Sequence, residues 1–418
     1  MKSKLINAKA KLAILKTLLL LFITMNVLLS CTQQSTTTQT VPPVLEFPEI
    51  GLDDTTTYRG YTTRFYQDSE GNTLQIYLNQ KEGRIVHLWA DAANESISFT
   101  ARNAAGNPAK LTWDSKEASV TTEADTRFVE YRLHSDTPVL ELGHFILNTM
   151  RLERDFQHFK RHTLPFDAEP FIVDEFTSLI ENLEKLPSEV RDRHFGLLDA
   201  GSSDELRLRL LPQIKQQSKS LALVEQPTFD GENHLSLEMS VVYGSATIDI
   251  SKDKISIQSL QGQPIKLTIK VGTDSTPLTP IRNHDIFNNN FFHFYERAKA
   301  EHDSIVQHSG LAAQNIVDEE IVQRFKRLQR QVKSMELMSS QEKLMAGLPN
   351  YATYFGRDMM MSALMLEPVL KPAMLEHVIA NVLKKLLPNG EVSHEEGLGS
   401  QAIRENAAKY NKMIEAYL

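Results

Sequence analysis

The sequence predicts an α+β multidomain chain: a β-sandwich carrying a helical insertion, followed by a train of helical hairpins. Three observations predict it. Apolar residues recur at period two from about Tyr58 to Thr149 and again from His234 to Gly272. Between those stretches, from about 171 to 217, the period lengthens to that of a helix. After Pro280 the apolar patterns are helical to the end of the sequence.

The elements follow in order. Residues 1–30 carry Lys2, Lys4, Lys9, Lys11 and Lys16, no acidic residue, and the apolar run LAILKTLLLLFITMNVLLS. A charged start before an apolar core of this length is a secretory signal rather than part of the fold. Residues 31–56 begin with a Thr/Gln/Pro-rich run, TQQSTTTQTVPPVLE, which reads as a flexible tether. The sandwich is expected over 57–280. TLQIYL (73–78), RIVHLWA (84–90), SISFTA (96–101), RFVEYRL (127–133) and LELGHFIL (140–147) are strand patterns, and Glu70-Gly71-Asn72 and Glu82-Gly83 supply turns between them. Trp89 and Trp113 lie within strand patterns and read as packing residues.

FIVDEFTSLIENLEKL lines up Phe171, Phe176, Leu179, Ile180, Leu183 and Leu186 on one helical face, so 171–217 is a helical insertion, interrupted at Pro212. HLSLEMSVVYG, ATIDIS, KISIQS and PIKLTIKVG then return as strands of the same sandwich. The final part, 281–418, holds five helical patterns, with Pro349, Pro368, Pro372 and Pro388 at their boundaries. In one of them Leu375, Val378, Ile379, Val382 and Leu386 form an apolar stripe.

Composition excludes several classes. The formal charge is −8, and loss of the five lysines of residues 1–30 takes it to −13, which argues against nucleic acid as a partner. There is no metal-type Cys/His spacing, no GxxxxGK[ST] phosphate loop and no GxSxG elbow, so no metal or other cofactor is implied. The run Arg324-Lys326-Arg327-Arg330 is flanked by Glu319, Glu320 and Glu336 and reads as a solvated helix face. Asn283-His284-Asp285 and Asn288-Asn289-Asn290 read as loop and capping residues.

The stretch richest in chemistry is AGLPNYATYFGRDMMMSALML, residues 346–366. Tyr351, Tyr354 and Phe355 lead into Gly356-Arg357-Asp358 at the start of an apolar helix. A guanidinium and a carboxylate beside aromatic faces suit the hydroxyls and the apolar face of a sugar. A second loop, PNGEVSHEEGLGSQAIRE (388–405), holds Glu391, His394, Glu395 and Glu396.

Two resemblances follow from these residues. Leu28-Leu29-Ser30-Cys31 resembles the lipobox of bacterial lipoproteins, which implies cleavage before Cys31, the one cysteine of the chain, and its acylation. That implies a lipid-anchored protein at a bacterial membrane. Thr32, where inner-membrane retention favours Asp, points to the outer membrane, facing the periplasm or the surface. The segment GLPNYATYFGRD, the later HEE loop and the order of strands and helices resemble the glycoside hydrolases built on an (α/α)6 barrel, of the glucoamylase and amylo-1,6-glucosidase type.

The second resemblance implies an incomplete (α/α)6 toroid over 281–418 and inverting hydrolysis of gluco-oligosaccharides or related glycans. Arg357 and Asp358 would contact the sugar. The residues themselves add Tyr354 and His394 as sugar contacts and offer Glu395 and Glu396, carboxylates of a glycine-rich loop near that pair, as the catalytic carboxyls. In the resembled enzymes the acid and base mostly lie further along the barrel. A twelve-helix toroid needs well over about 250 residues, and 135 follow Asn283. The expectation is therefore a truncated hydrolase, with a complementary C-terminal polypeptide as its possible partner. Two alternatives stand beside it. One is a carbohydrate-binding lipoprotein without turnover. The other is a polysaccharide lyase, for which Tyr351, Tyr354 and His394 offer the base chemistry.

Overall fold

The computed structural model describes residues 37–309, 316–342, 344–345, 347 and 354–418. Residues 1–30, expected to be a signal, and Cys31 and Tyr351 lie outside the described residues. Two eight-stranded antiparallel sheets make up most of the chain before Pro280. The first runs β1 (Thr37–Val41), β8 (Ala118–Glu123), β9 (Thr126–Ser135), β16 (Lys266–Thr273), β13 (His234–Val241), β12 (Leu221–Pro227) and β11 (Gln213–Ser218), with β7 (Leu111–Trp113) also on β9. The second runs β14 (Ala246–Ser251), β15 (Lys254–Ser259), β10 (Val139–Thr149), β6 (Glu95–Asn103), β5 (Arg84–Ala90), β4 (Thr73–Asn79), β3 (Tyr61–Gln67) and β2 (Leu45–Phe47). The strands after the insertion therefore complete both sheets begun before it.

Alternation along the strands builds one apolar core between the sheets. Leu74, Ile76, Ile85, Trp89, Ile97, Phe99 and Leu142 come from one side, and Val129, Tyr131, Leu237, Met239, Ile269 and Val271 from the other. Gly83 turns the β4–β5 connection at φ +65°, where an added Cβ would lie 2.2 Å from the Ala101 carbonyl oxygen. His87 is buried in this core, and burial lowers its pKa to about 4, so the ring is neutral. Nδ1–H then donates to the Ile97 carbonyl (2.8 Å), and Nε2 accepts from the Tyr131 hydroxyl (2.7 Å).

The opposite face of the second sheet is polar and still buried. Gln75, Arg84, Ser96, Ser98 and Thr100 are all under 5% exposed. The helix α1 (Met150–His158) brings Glu153 to this face. Arg84 Nε donates to Glu153 (3.0 Å), and its other nitrogens reach Ser98, Thr100 and the His144 carbonyl at 2.7–3.0 Å. Each nitrogen of the guanidinium thus has a partner, and its charge is paired, as burial requires.

The insertion continues as α2 (Asp174–Glu184), α3 (Ser188–Leu197) and α4 (Ser203–Arg209). The SDELRLRLLPQIKQQ pattern splits at Pro212: its second half is not helical but forms β11 on the edge of the first sheet. Beyond the sheets come α5 (Asn283–Ile286), α6 (Asn289–Ser309), α7 (Ile316–Leu337), α8 (Gly356–Leu366), α9 (Pro372–Leu383) and α10 (Gly399–Tyr417). Ile286, Val332, Met359, Ala363, Met374 and Val378 form a second core among the first five of these. The stripe on α9 is shifted from expectation. Met374, Val378 and Asn381 are its buried positions, while Ile379 is 48% exposed.

The toroid expectation is overturned. Among the described residues the helices do not continue as hairpins around an axis. The last helix, α10, instead packs on the insertion helix α2. Its Ala407 and Ile414 join Phe176, Leu179, Ile180 and Leu183 in one cluster. Arg404 meets Glu175 (3.1 Å) and Asp155, and Asn182 donates to Asn411 (2.9 Å). The physical reason is complementarity. The buried stripe of α10, Arg404, Ala407, Asn411 and Ile414, matches both the apolar residues and the acid and amide groups of that insertion face.

Candidate functional site

The two chemistry-bearing segments of the sequence meet. β17 (Tyr354–Phe355) and β18 (Glu395–Glu396) form a two-stranded antiparallel sheet with Tyr354 opposite Glu396 and Phe355 opposite Glu395. Gly356 N–H extends the pairing by donating to the His394 carbonyl (3.1 Å). Gly356 is buried and opens α8, with Met359 anchoring the first turn in the second core. That leaves Arg357 and Asp358 on the solvent side of the turn. Their side chains are 68% and 44% exposed, and Arg357 Nε donates to Asp358 Oδ1 at 3.0 Å. Asp358 also lies in the first turn of its helix, where a negative charge is favoured.

The HEE loop is held by its own turn. Leu386 and Val392 bridge across Pro388-Asn389-Gly390, with Gly390 at φ +86° and Leu387 N–H bonded to the Glu391 carbonyl (2.8 Å). The Glu391 carboxylate accepts from Asn389 (2.8 Å) and serves that turn. His394 and Glu395 are exposed. Glu396 is half-buried and forms an ion pair with Lys385. Because neighbours along a strand point to opposite faces, Glu395 and Glu396 do not converge on one point. The Tyr354 side chain is outside the description.

Asn288 is a cap as its position suggests, its Oδ1 accepting from Phe291 N–H (3.0 Å) at the start of α6. Asn283-His284-Asp285, expected as loop or cap, instead form the helix α5 itself, where His284 meets Asp285 (3.1 Å) at the surface. Trp89 is buried in the sandwich core, and Trp113 packs on Tyr131 at its margin. Among the described residues no group of three or more His, Cys, Asp or Glu could hold a metal ion, and no helix is long and apolar enough to cross a membrane.

The chain matches no protein family and no curated protein. Among solved structures, it is similar to a P. aeruginosa R1 pyocin fiber comprising C-terminal residues 323-701, at 10% identity over 57% of this chain and 82% of that one, with a TM-score of 0.08. That likeness is too slight to carry an argument.

Sequence reasoning missed two groups. One is the buried Arg84–Glu153 pair, and the other is the cluster Tyr58, Tyr61 and Tyr77 on the same sheet face. The available signal was the polar half of the alternation: Gln75, Tyr77 and Asn79 in one strand and Ser96, Ser98 and Thr100 in another.

Proposed function

We propose that this chain is a glycan-active protein of the glycoside hydrolase kind, with its sugar contacts at the paired 354–358 and 394–396 segments. The observation that carries this reading is the register of β17 on β18, which joins the Arg-Asp pair to an acidic loop some forty residues later. In this reading Arg357 donates to vicinal hydroxyls, Asp358 accepts from one, and the exposed Glu395 faces the sugar. Glycoside hydrolysis needs a second carboxyl, about 6.5–9.5 Å away in inverting enzymes. Glu396 is a poor partner for Glu395, since it points the other way and neutralises Lys385.

That geometry favours a second reading, a glycan-binding protein without turnover. One experiment separates the two. Purified chain is incubated with gluco-oligosaccharides of two to six units, and both reducing-end release and binding are measured. Release that is lost in Arg357→Ala and Glu395→Gln supports hydrolysis. Binding without release, weakened at least about tenfold by Arg357→Ala, supports the binder. Neither binding nor release removes both.

Cys31 belongs to the same proposal as the lipid attachment site that holds the chain at a bacterial membrane. Metabolic labelling with palmitate should mark the wild-type chain and not Cys31→Ala. Equal labelling of both would refute the anchor.

A further inference from the structure

Away from the site above, a cleft of about 1120 Å³ lies between the outer face of the second sheet and α1. It exceeds the roughly 300–1,000 Å³ of ordinary small-molecule pockets, so it suits an extended ligand. Strand register builds one wall. Tyr61 on β3 pairs with Asn79 on β4, and Thr63 with Tyr77, so these side chains share a face. Tyr58 joins them from the turn before β3. The Tyr58 and Tyr61 ring centroids are 5.1 Å apart, as are those of Tyr61 and Tyr77. Burial pushes the Tyr77 hydroxyl up to about 12, so the wall is uncharged at neutral pH.

Two further observations define the occupant. Gln75 is only 4% exposed and lines the cleft, yet its Oε1 has no hydrogen-bond partner. A buried acceptor left unsatisfied is open to a donor, from water or from a ligand hydroxyl. The formal charges lining the cleft also balance: Arg84, Arg151 and Arg154 stand with Glu82, Glu153 and Asp155, beside His158 and His162. Nothing there selects an anion or a cation.

We propose that this cleft is a second binding site, for a neutral oligosaccharide. Sugar rings would lie against the tyrosine wall through their C–H faces, and one hydroxyl would donate to Gln75 Oε1. The choice of a sugar rests on the glycan reading above, but the two sites share no residue and can fail separately.

The test is calorimetric titration of the purified full chain with maltohexaose, cellohexaose, mannohexaose and, as an anionic control, hexagalacturonate. At least one neutral hexasaccharide should bind. In an Arg357→Ala background, where the first site is disabled, a binding event should remain that Tyr61→Ala weakens at least tenfold and Gln75→Leu at least threefold without lowering Tm. Thermal melts of each variant establish that it is folded. Three results overturn the proposal: no neutral hexasaccharide binds; hexagalacturonate binds in their place; or folded Tyr61→Ala and Gln75→Leu bind like their Arg357→Ala parent. Binding lost in Arg357→Ala alone would leave the first site standing and remove this one.

Discussion

Glu95 sits fully buried beneath the start of α10, and burial raises its pKa from about 4.5 to about 8, against the bonds it accepts from Ser400. Its Oε2 has no partner, which suits a protonated carboxyl. The folded state then holds a proton that the unfolded state releases above about pH 4.5, so this group's contribution to stability is complete below that pH and is lost as pH rises to about 8. Urea midpoints at pH 5, 6.5 and 8 should fall for the wild type, and Glu95→Gln should flatten that fall; an unchanged slope would rule out Glu95 as its source. Glu153 poses the opposite case. Removing it in Glu153→Ala leaves the Arg84 guanidinium buried and unpaired, at a cost of about 3–5 kcal/mol. Arg84→Met with Glu153→Leu should recover much of that loss in denaturant titration, whereas a double variant as unstable as the single one would contradict the account. Neither residue was legible as special. A lone Glu and a lone Arg in strand and helix patterns look like surface charges until their burial is known.

Among the elements, α10 has the most informative docking. Its entry is tight: Gly399 has φ +47°, and an added Cβ would lie 2.4 Å from Glu95 Oε1 and 2.6 Å from the Ala93 carbonyl oxygen. Gly399→Ala should therefore lift the helix start from the sandwich. Ile414→Ala at the far end removes buried apolar contact with α2 and should cost about 2–5 kcal/mol. Amide exchange would report both as lost protection in 399–417 and in 174–184 together, and loss confined to 399–417 would argue against the shared interface. The helical period of this segment is plain in the sequence, but its partner is not. Periodicity shows that a face is apolar, and only shape and charge matching with Glu175, Asp155 and Asn182 selected the insertion over a neighbouring hairpin. The β17–β18 pair was invisible for a related reason. Two residues per strand carry no period, and their pairing spans some forty residues of intervening chain.

Over the whole molecule, the apolar surface is uneven. Met361, Leu364 and Met365 on α8 and Ile379 and Leu383 on α9 are exposed, with Leu364 at 65% and Met365 at 77%. A cluster of this kind on adjoining helices should bind a hydrophobic dye in the native state. Leu364→Gln with Met365→Gln should reduce dye fluorescence well below the wild-type level without lowering Tm; undiminished fluorescence would mean that the apolar surface lies elsewhere. The sequence flagged this stretch as strongly apolar through MMMSALML. It also suggested an incomplete ring of helices, and even that part of a ring is not what the described residues form.

Local order was readable along the chain: strands by period two, most helices by their longer period, and breaks at Gly and Pro. These are properties of neighbouring residues, so adjacent chain suffices to specify them. Tertiary structure decided what lay across long separations. It joined strands before and after the insertion into two sheets, brought the Arg-Asp turn beside the HEE loop, buried Arg84 and Glu95, and sent the last helix to α2. Each of those outcomes depends on the fit of two surfaces that meet only after folding, and a pattern read along one chain segment does not contain the other surface.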